Sequence, residues 1–277
     1  MTTHSRTLPT RQLLWISDIH LDQAQEEEKR RFFDKLETSR CDAILITGDI
    51  TTSTNIVSDL SEISRAAGTT PVLFVLGNHD YFGSSFEKVD REVAKLCKRH
   101  QNLIPLGNGE IIQLSPNTAL IGHRGWFDGQ AGAGALTRVG SADRYQIDDF
   151  KNLSKAQYFH KLRDLGVQSA DYFRRVLPAA LQQFQTVLVA THVPPCTQAL
   201  RHCGSHCQWD RQPFFSNRAA GNAIIGISRT RSFASRQVIV YSGHSHCYSM
   251  FQSDNVEIRV AGAQPGYPAL NGLQTIH

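Results

Sequence analysis

The sequence predicts an α/β fold built on a parallel sheet, and three observations carry that prediction. Five short runs rich in Val, Ile, Leu and Phe (QLLWIS, AILIT, VLFVL, TVLVAT and QVIVYS) read as buried strands. Between the first three lie segments whose apolar residues recur at helical spacing, giving a β-α-β-α-β-α order. Each run also ends in side chains that bind metals or move protons. In open α/β sheets ligands sit beyond the carboxyl ends of strands, so this placement belongs to the same fold class.

QLLWIS runs into Asp18 and His20. An extended backbone there puts residues two apart on one side, so both face a common point while Ile19 packs away. Asp22 is the expected N-cap of the next helix. Glu26, Glu27 and Glu28 precede Lys29, Arg30 and Arg31 in it, the order that the helix dipole favours, and Phe32, Phe33 and Leu36 form its buried stripe. AILIT ends at Gly48-Asp49, and the helix after it buries Ile56, Leu60 and Ile63. The run starting at Val72 stops at Gly77 and is followed by Asn78, His79 and Asp80. Val89, Val93 and Leu96 then mark a third helix.

The middle of the chain reads differently. EIIQLS and TALIGH pair across the Pro116-Asn117 turn, and residues 122 to 140 form a glycine-rich loop. Residues 141 to about 185 are mainly helical, with breaks expected near Gly166 and Pro178. TVLVAT delivers His192, and Pro194-Pro195 ends it. Residues 196 to 236 make an irregular insertion, placed to act as a lid, with one short helix at about 219 to 227. QVIVYS leads to Gly243, His244 and His246, then to a hairpin turning at Ser253-Asp254-Asn255. The tail after Pro265 is expected to be loosely structured. With no repeat and no linker, residues 1–277 are expected to form one domain.

Bulk properties narrow the function. A chain of 277 residues, 40% hydrophobic and 19% charged, has the composition of an ordinary soluble protein. A net charge of +4 admits an anionic substrate but is not the concentrated basic footprint of a dedicated nucleic-acid binder. The N-terminus has no apolar segment of secretory type, and no run reaches the roughly 18 apolar residues of a membrane span. Six dispersed cysteines are therefore expected as reduced thiols in a cytoplasmic protein.

Asp18, His20, Asp49, Asn78, His192, His244 and His246 together offer carboxylate, imidazole and amide ligands. Such a set suits borderline divalent ions such as Mn, Fe, Zn, Co or Ni. No cysteine is required, which argues against a closed structural zinc site. Seven ligands are too many for one ion and fit two that share one ligand, with Asp49, preceded by Gly48, as the natural bridge. Each short motif alone is weak, since Gly-Asp is a common turn; five in order at strand ends are strong.

In that order, D-x-H, G-D, G-N-H-D, a lone H and G-H-x-H resemble the calcineurin-like metallophosphoesterase superfamily from Asp18 to His246. The resemblance implies a four-layer α-β-β-α sandwich of two mixed sheets flanked by helices. It implies two divalent ions, Mn favoured: one held by Asp18, His20, Asp49 and His246, the other by Asp49, Asn78, His192 and His244. His79 would be the acid/base residue and Asp80 would orient it. Paired ions would clamp phosphoryl oxygens and bring a bridging water's pKa from 15.7 toward about 7, so that the hydroxide attacks phosphorus in line. The implied activity is hydrolysis of a phosphomonoester or phosphodiester, most simply of a phosphorylated small molecule. The alternatives are a nuclease acting on DNA or RNA and a non-catalytic metal-binding scaffold. Lipid-A-pathway pyrophosphohydrolases share D-x-H-L but carry Arg where His79 stands. The protein phosphatase branch has Glu where Asp80 stands.

His123 and Arg124 are candidate substrate contacts, as are Arg138, Arg211 and Arg218, because a guanidinium fork suits phosphate. A second cluster, His202, Cys203, His206 and Cys207 with Cys196 nearby, is compressed relative to zinc modules and reads instead as a polar lid loop. Selectivity is expected to sit in residues 122–140, the helical segment after them and residues 196–236.

Overall fold

A computed structural model describes residues 5–202, 205–264 and 266–277. Its elements are, in chain order, β1 (Ser5–Thr7), β2 (Gln12–Ile16), α1 (Glu26–Thr38), β3 (Ala43–Thr47), α2 (Ile56–Ala67), β4 (Val72–Val75), α3 (Phe86–Arg99) and β5 (Leu103–Pro105). Then come β6 (Ile111–Gln113), β7 (Thr118–Gly122), α4 (Asp143–Gln146), α5 (Lys155–Gln183), β8 (Thr186–Ala190), β9 (Arg201–His202) and β10 (Ser205–His206). The remainder are α6 (Arg218–Ser228), β11 (Gln237–Ser242), β12 (Ser249–Ser253), β13 (Val256–Val260) and β14 (Gly272–Thr275).

The strands form two mixed sheets and a small β9–β10 hairpin. One sheet has five strands in the order β14-β2-β3-β4-β5, all parallel except β14. The other has seven in the order β1-β6-β7-β8-β11-β13-β12, where β6–β7 and β12–β13 are the antiparallel pairs. Alternation along each strand explains why the runs are apolar throughout. Leu13, Trp15, Leu45, Leu73 and Val75 meet Leu120, Leu188, Ala190 and Tyr241 between the sheets. The intervening Leu14, Ile16, Ile44, Ile46 and Phe74 pack outward against Phe32, Leu60, Ile63, Val93 and Leu96 of α1, α2 and α3. On the other outer face Ile121, Val187, Val189, Val240 and Ile258 meet Phe173, Leu177, Leu181 and Ile224 of α5 and α6. Both faces of both sheets are thus covered, which is the expected four-layer sandwich.

Four local expectations are corrected. Asp22 lies inside a 3-10 turn, Leu21–Gln23, and α1 begins after Gln25 with no side-chain cap; three glutamates in its first turn complement the dipole instead. Helix α5 is continuous through both Gly166 and Pro178. Pro178 costs one backbone bond, but Leu177, Ala180 and Leu181 beside it are buried, and that packing outweighs the loss. A Ser154–Gln157 capping box starts this helix. The tail is not loose: β14 pairs with β2 in register Gly272 to Trp15, a strand too short and too exposed to show alternation in sequence. β1, three exposed residues, was invisible for the same reason.

Gly166 lets α5 pass close to the 122–140 loop, since a β-carbon there would collide with the Asp128 side chain. Gly226, on the exposed face of α6, has nothing within 4 Å. Alanine is worth about 0.8–1.0 kcal/mol over glycine in a helix interior, whereas overpacking a core costs about 1–3 kcal/mol. Gly226→Ala is therefore expected to raise the urea midpoint and Gly166→Ala to lower it. Equal shifts in one direction would refute this account of the close approach.

Candidate metal centre

All the singled-out ligand side chains lie just beyond the carboxyl ends of β2, β3, β4, β8 and β11, three strands from one sheet and two from the other. The chain turns sharply there. Among the described residues seven non-glycine positions have positive φ, and five belong to this site: Asp18 (53°), His20 (42°), Asp49 (51°), His244 (69°) and His246 (56°). The expected extended Asp18-Ile19-His20 is thus replaced by left-handed turns, although Ile19 is buried and both polar side chains face the site. Two glycines make room. A β-carbon on Gly48 (φ 91°) would stand 2.6 Å from His192 Nδ1, and one on Gly77 would strike the Asp49 carboxylate.

The side chains fall into two groups that share Asp49. In the first, Asp18, His20, Asp49 and His246 each offer an atom, all within 4.8 Å of one another; Asp49, His192 and His244 do the same in the second. Asn78 joins the second group, its Oδ1 lying 3.1 Å from His192 Nε2. Hydrogen bonds fix the rings. His192 Nδ1 donates to the Thr47 carbonyl (2.8 Å), which turns Nε2 toward Asn78 Oδ1 and, at 3.3 Å, Asp49 Oδ1. His244 is held the other way round: Nε2 donates to the Phe214 carbonyl (2.7 Å), leaving Nδ1 for the centre. His20 and His246 bring their Nε2 atoms 3.1 Å apart. Asp18 accepts from the Ser17 hydroxyl (2.6 Å) and the His244 N–H (2.7 Å).

Converging lone pairs repel unless a cation lies between them. Asp49 Oδ2 is buried without a hydrogen-bond partner among the described residues. Burial pushes the His20 and His244 imidazoles down to about 3, so both are neutral donors of a lone pair. Burial alone would raise Asp49, but His192, His79 and His20 hold it well below the usual carboxylate range. Burial would likewise lower His192, yet Asp49 lifts it to about 9. Two carboxylates, four imidazoles and an amide oxygen fit divalent ions of the borderline class.

The His79 ring stacks on Phe82 (centroids 4.2 Å apart) and meets His20 edge-on (4.7 Å). Its backbone N–H donates to Asp49 Oδ1 at 2.9 Å. Asp80 does not orient it. Asp80 Oδ1 accepts from the Ile50 and Thr51 N–H groups (2.8 and 2.9 Å) and Oδ2 from the Gly77 N–H (2.7 Å), so this buried carboxylate ties the Asp49 turn to the Asn78 turn.

Asn78, His79, His244 and His246 open onto a cleft of about 390 Å³, walled also by Phe82, Ser141, Asp143, Arg211, Phe214 and Phe215. Of the candidate arginines only Arg211 lines it; Arg218 donates to the Gln130 carbonyl in another hollow. His123 and Arg124 are also elsewhere. Arg124 bonds the Tyr81 hydroxyl (2.6 Å) and Asp90, and His123 packs on Tyr172, because the strand end at Gly122 turns both side chains away from the cleft. Phe82, Asp143, Phe214 and Phe215 were not foreseen, having no motif to mark them. In the histidine-cysteine loop, Cys203 and the His202 side chain lie outside the described residues. His206 Nδ1 meets the Arg201 guanidinium (3.1 Å), and no metal-holding group is found there among the described residues.

Residues 12–248 match the family model of the calcineurin-like phosphoesterases. No curated protein sequence matches the chain. Among solved structures, phosphopantetheinyl hydrolase (PptH) from Mycobacterium tuberculosis superposes with a TM-score of 0.65 at 15% identity, over 97% of this chain and 95% of that one. TT1561 of Thermus thermophilus does so at 0.52 and 15%, over 96% and 98%. At such identities the likeness concerns the fold. Among the described residues no helix is long and apolar enough to cross a membrane.

Asp80→Ala would strip three buried N–H groups of their acceptor, at about 1–3 kcal/mol each. A loss of about 3 kcal/mol or more in chemical denaturation is the expected outcome. A loss below about 1 kcal/mol would show that Asp80 does not tie the two turns together.

Proposed function

Since the chain belongs to the calcineurin-like phosphoesterase family, we propose that it hydrolyses a phosphodiester or phosphomonoester of a small molecule with two divalent ions bridged by Asp49. The observation that carries this reading is the membership of Asp49 in both ligand groups. Asp18, His20, Asp49 and His246 would hold one ion, and Asp49, Asn78, His192 and His244 the other, with manganese the first metal to try. When bound, such a pair supplies Lewis-acid polarisation of the phosphoryl group and an acidified water.

The chain's own residues supply the rest. The Thr47 and Phe214 carbonyls hold His192 through Nδ1 and His244 through Nε2, so each ring turns its other nitrogen toward the centre before any ligand arrives. His79, its ring plane set by Phe82, stands at the cleft wall with an N–H for the leaving oxygen. Arg211 is placed to meet phosphate charge, and Phe214 and Phe215 shield the cleft from water. These three come from residues 196–236, which supports the lid reading of that insertion. A cleft of about 390 Å³ closed on this side favours a small molecule over a nucleic acid duplex. The phosphopantetheinyl hydrolase with the same fold points to phosphorylated metabolites as the first substrates to test. The described cysteines are all free, in keeping with a reducing cytoplasm.

Bis-p-nitrophenyl phosphate and p-nitrophenyl phosphate, assayed after chelation and manganese re-addition, test the reading. Turnover should vanish on chelation, return with metal and be abolished by Asp49→Ala. His79→Ala should keep the bound metal but slow turnover by about 10²–10⁴-fold. The relative rates on the two esters assign diester or monoester preference. Full activity in Asp49→Ala would refute the bridged pair.

A further inference from the structure

His123 and Arg124 open into a second cavity of about 320 Å³ that shares no lining residue with the metal cleft. The 3-10 turn His79–Tyr81 separates the two, with His79 on the cleft side and Tyr81 on the other. Phe74, Leu76, Val93 and Leu106 give the second cavity apolar walls.

Its polar end has unused donors. The Arg124 guanidinium carbon lies 5.0 and 5.3 Å from the ring centres of Phe86 and Tyr81. Only Nη1 is engaged, by the Tyr81 hydroxyl at 2.6 Å and by Asp90 at 3.1 and 3.3 Å. Nε and Nη2 make no hydrogen bond among the described residues. His123 Nδ1 accepts the Gly125 N–H at 3.1 Å, so the ring proton sits on Nε2, which also has no partner among the described residues. Burial, reinforced by the Arg124 charge, pushes this imidazole down to about 3 and keeps it a neutral donor. Asp90 is half exposed and binds Nη1 alone, so it leaves the other edge of the fork free.

We propose that this cavity binds a small organic anion, a carboxylate or phosphate group on a short apolar body, at a site distinct from the metal centre. The anion would take the free guanidinium edge and His123 Nε2–H, and its apolar body would fill the space between Phe74, Val93 and Leu106. The site touches the centre from behind. The Arg124 carbonyl accepts the His192 N–H (2.9 Å), and Tyr81 directly follows Asp80.

Calorimetric titration of the full chain with benzoate and with phenylphosphonate, each with and without chelator, tests this. The tighter probe should bind with a Kd on the order of 1 mM or below. Its affinity should be the same after chelation and at least about tenfold above that of benzyl alcohol, the equivalent of one charged hydrogen bond. Arg124→Met should cost about tenfold, and His123→Phe, which keeps the ring contact with Tyr172, about threefold. The tighter probe identifies the anion, and either identity upholds the site. No binding at about 10 mM, equal binding of benzyl alcohol, loss on chelation, or full affinity in both variants would overturn the proposal.

Discussion

The carboxylate of Asp49 faces imidazoles on two sides, and much of the molecule is arranged to permit it. One oxygen stands 3.3 Å from His192 Nε2 and the other 3.7 Å from His20 Nε2. Those histidines follow strands of different sheets, so the sheets must bring their carboxyl ends together. The layer of Leu45, Val75, Leu120, Leu188 and Ala190 sets the sheet spacing, and the strand ends then converge above it. At that range no side chain fits at Gly48 or Gly77. Asp80 answers the remaining requirement by occupying three backbone donors that the crowded turns would otherwise leave unpaired.

Much of this was legible in the sequence because strands buried on both faces are apolar without interruption and their polar ends stand out. The candidate ligand residues stand out by that contrast, and the β-α order follows from helical spacing. What stayed hidden depended on partners distant in sequence. Asp18 and His20 converge through left-handed turns, a geometry that no local rule for a strand anticipates. Asp80 lies beside His79 in sequence yet bonds residues thirty positions away. Arg124 follows a strand end like the others, but Tyr81, Asp90 and Phe86 draw its side chain to a different cavity. Pro178 and Gly166 read as helix breakers, and packing on the sheet overrode both.

Residues 196–236 show how an irregular segment acquires a chemical part. Phe214 contributes its side chain to the cleft wall and its carbonyl to the tautomer of His244. The geometry of the centre therefore rests partly on a segment that no regular element fixes, apart from α6 and the β9–β10 hairpin. Under the proposed function, the segment that encloses the substrate also sets the proton of one ligand.

The five left-handed residues bear on the life of the chain in a cell. Each costs about 1–2 kcal/mol relative to a relaxed backbone, and together they approach the roughly 5–15 kcal/mol that keeps a domain folded. Ions that bind only the folded chain would offset this strain. Newly made protein that meets too little metal would then spend more time open to proteases, so its abundance would follow the local metal supply without any dedicated sensor.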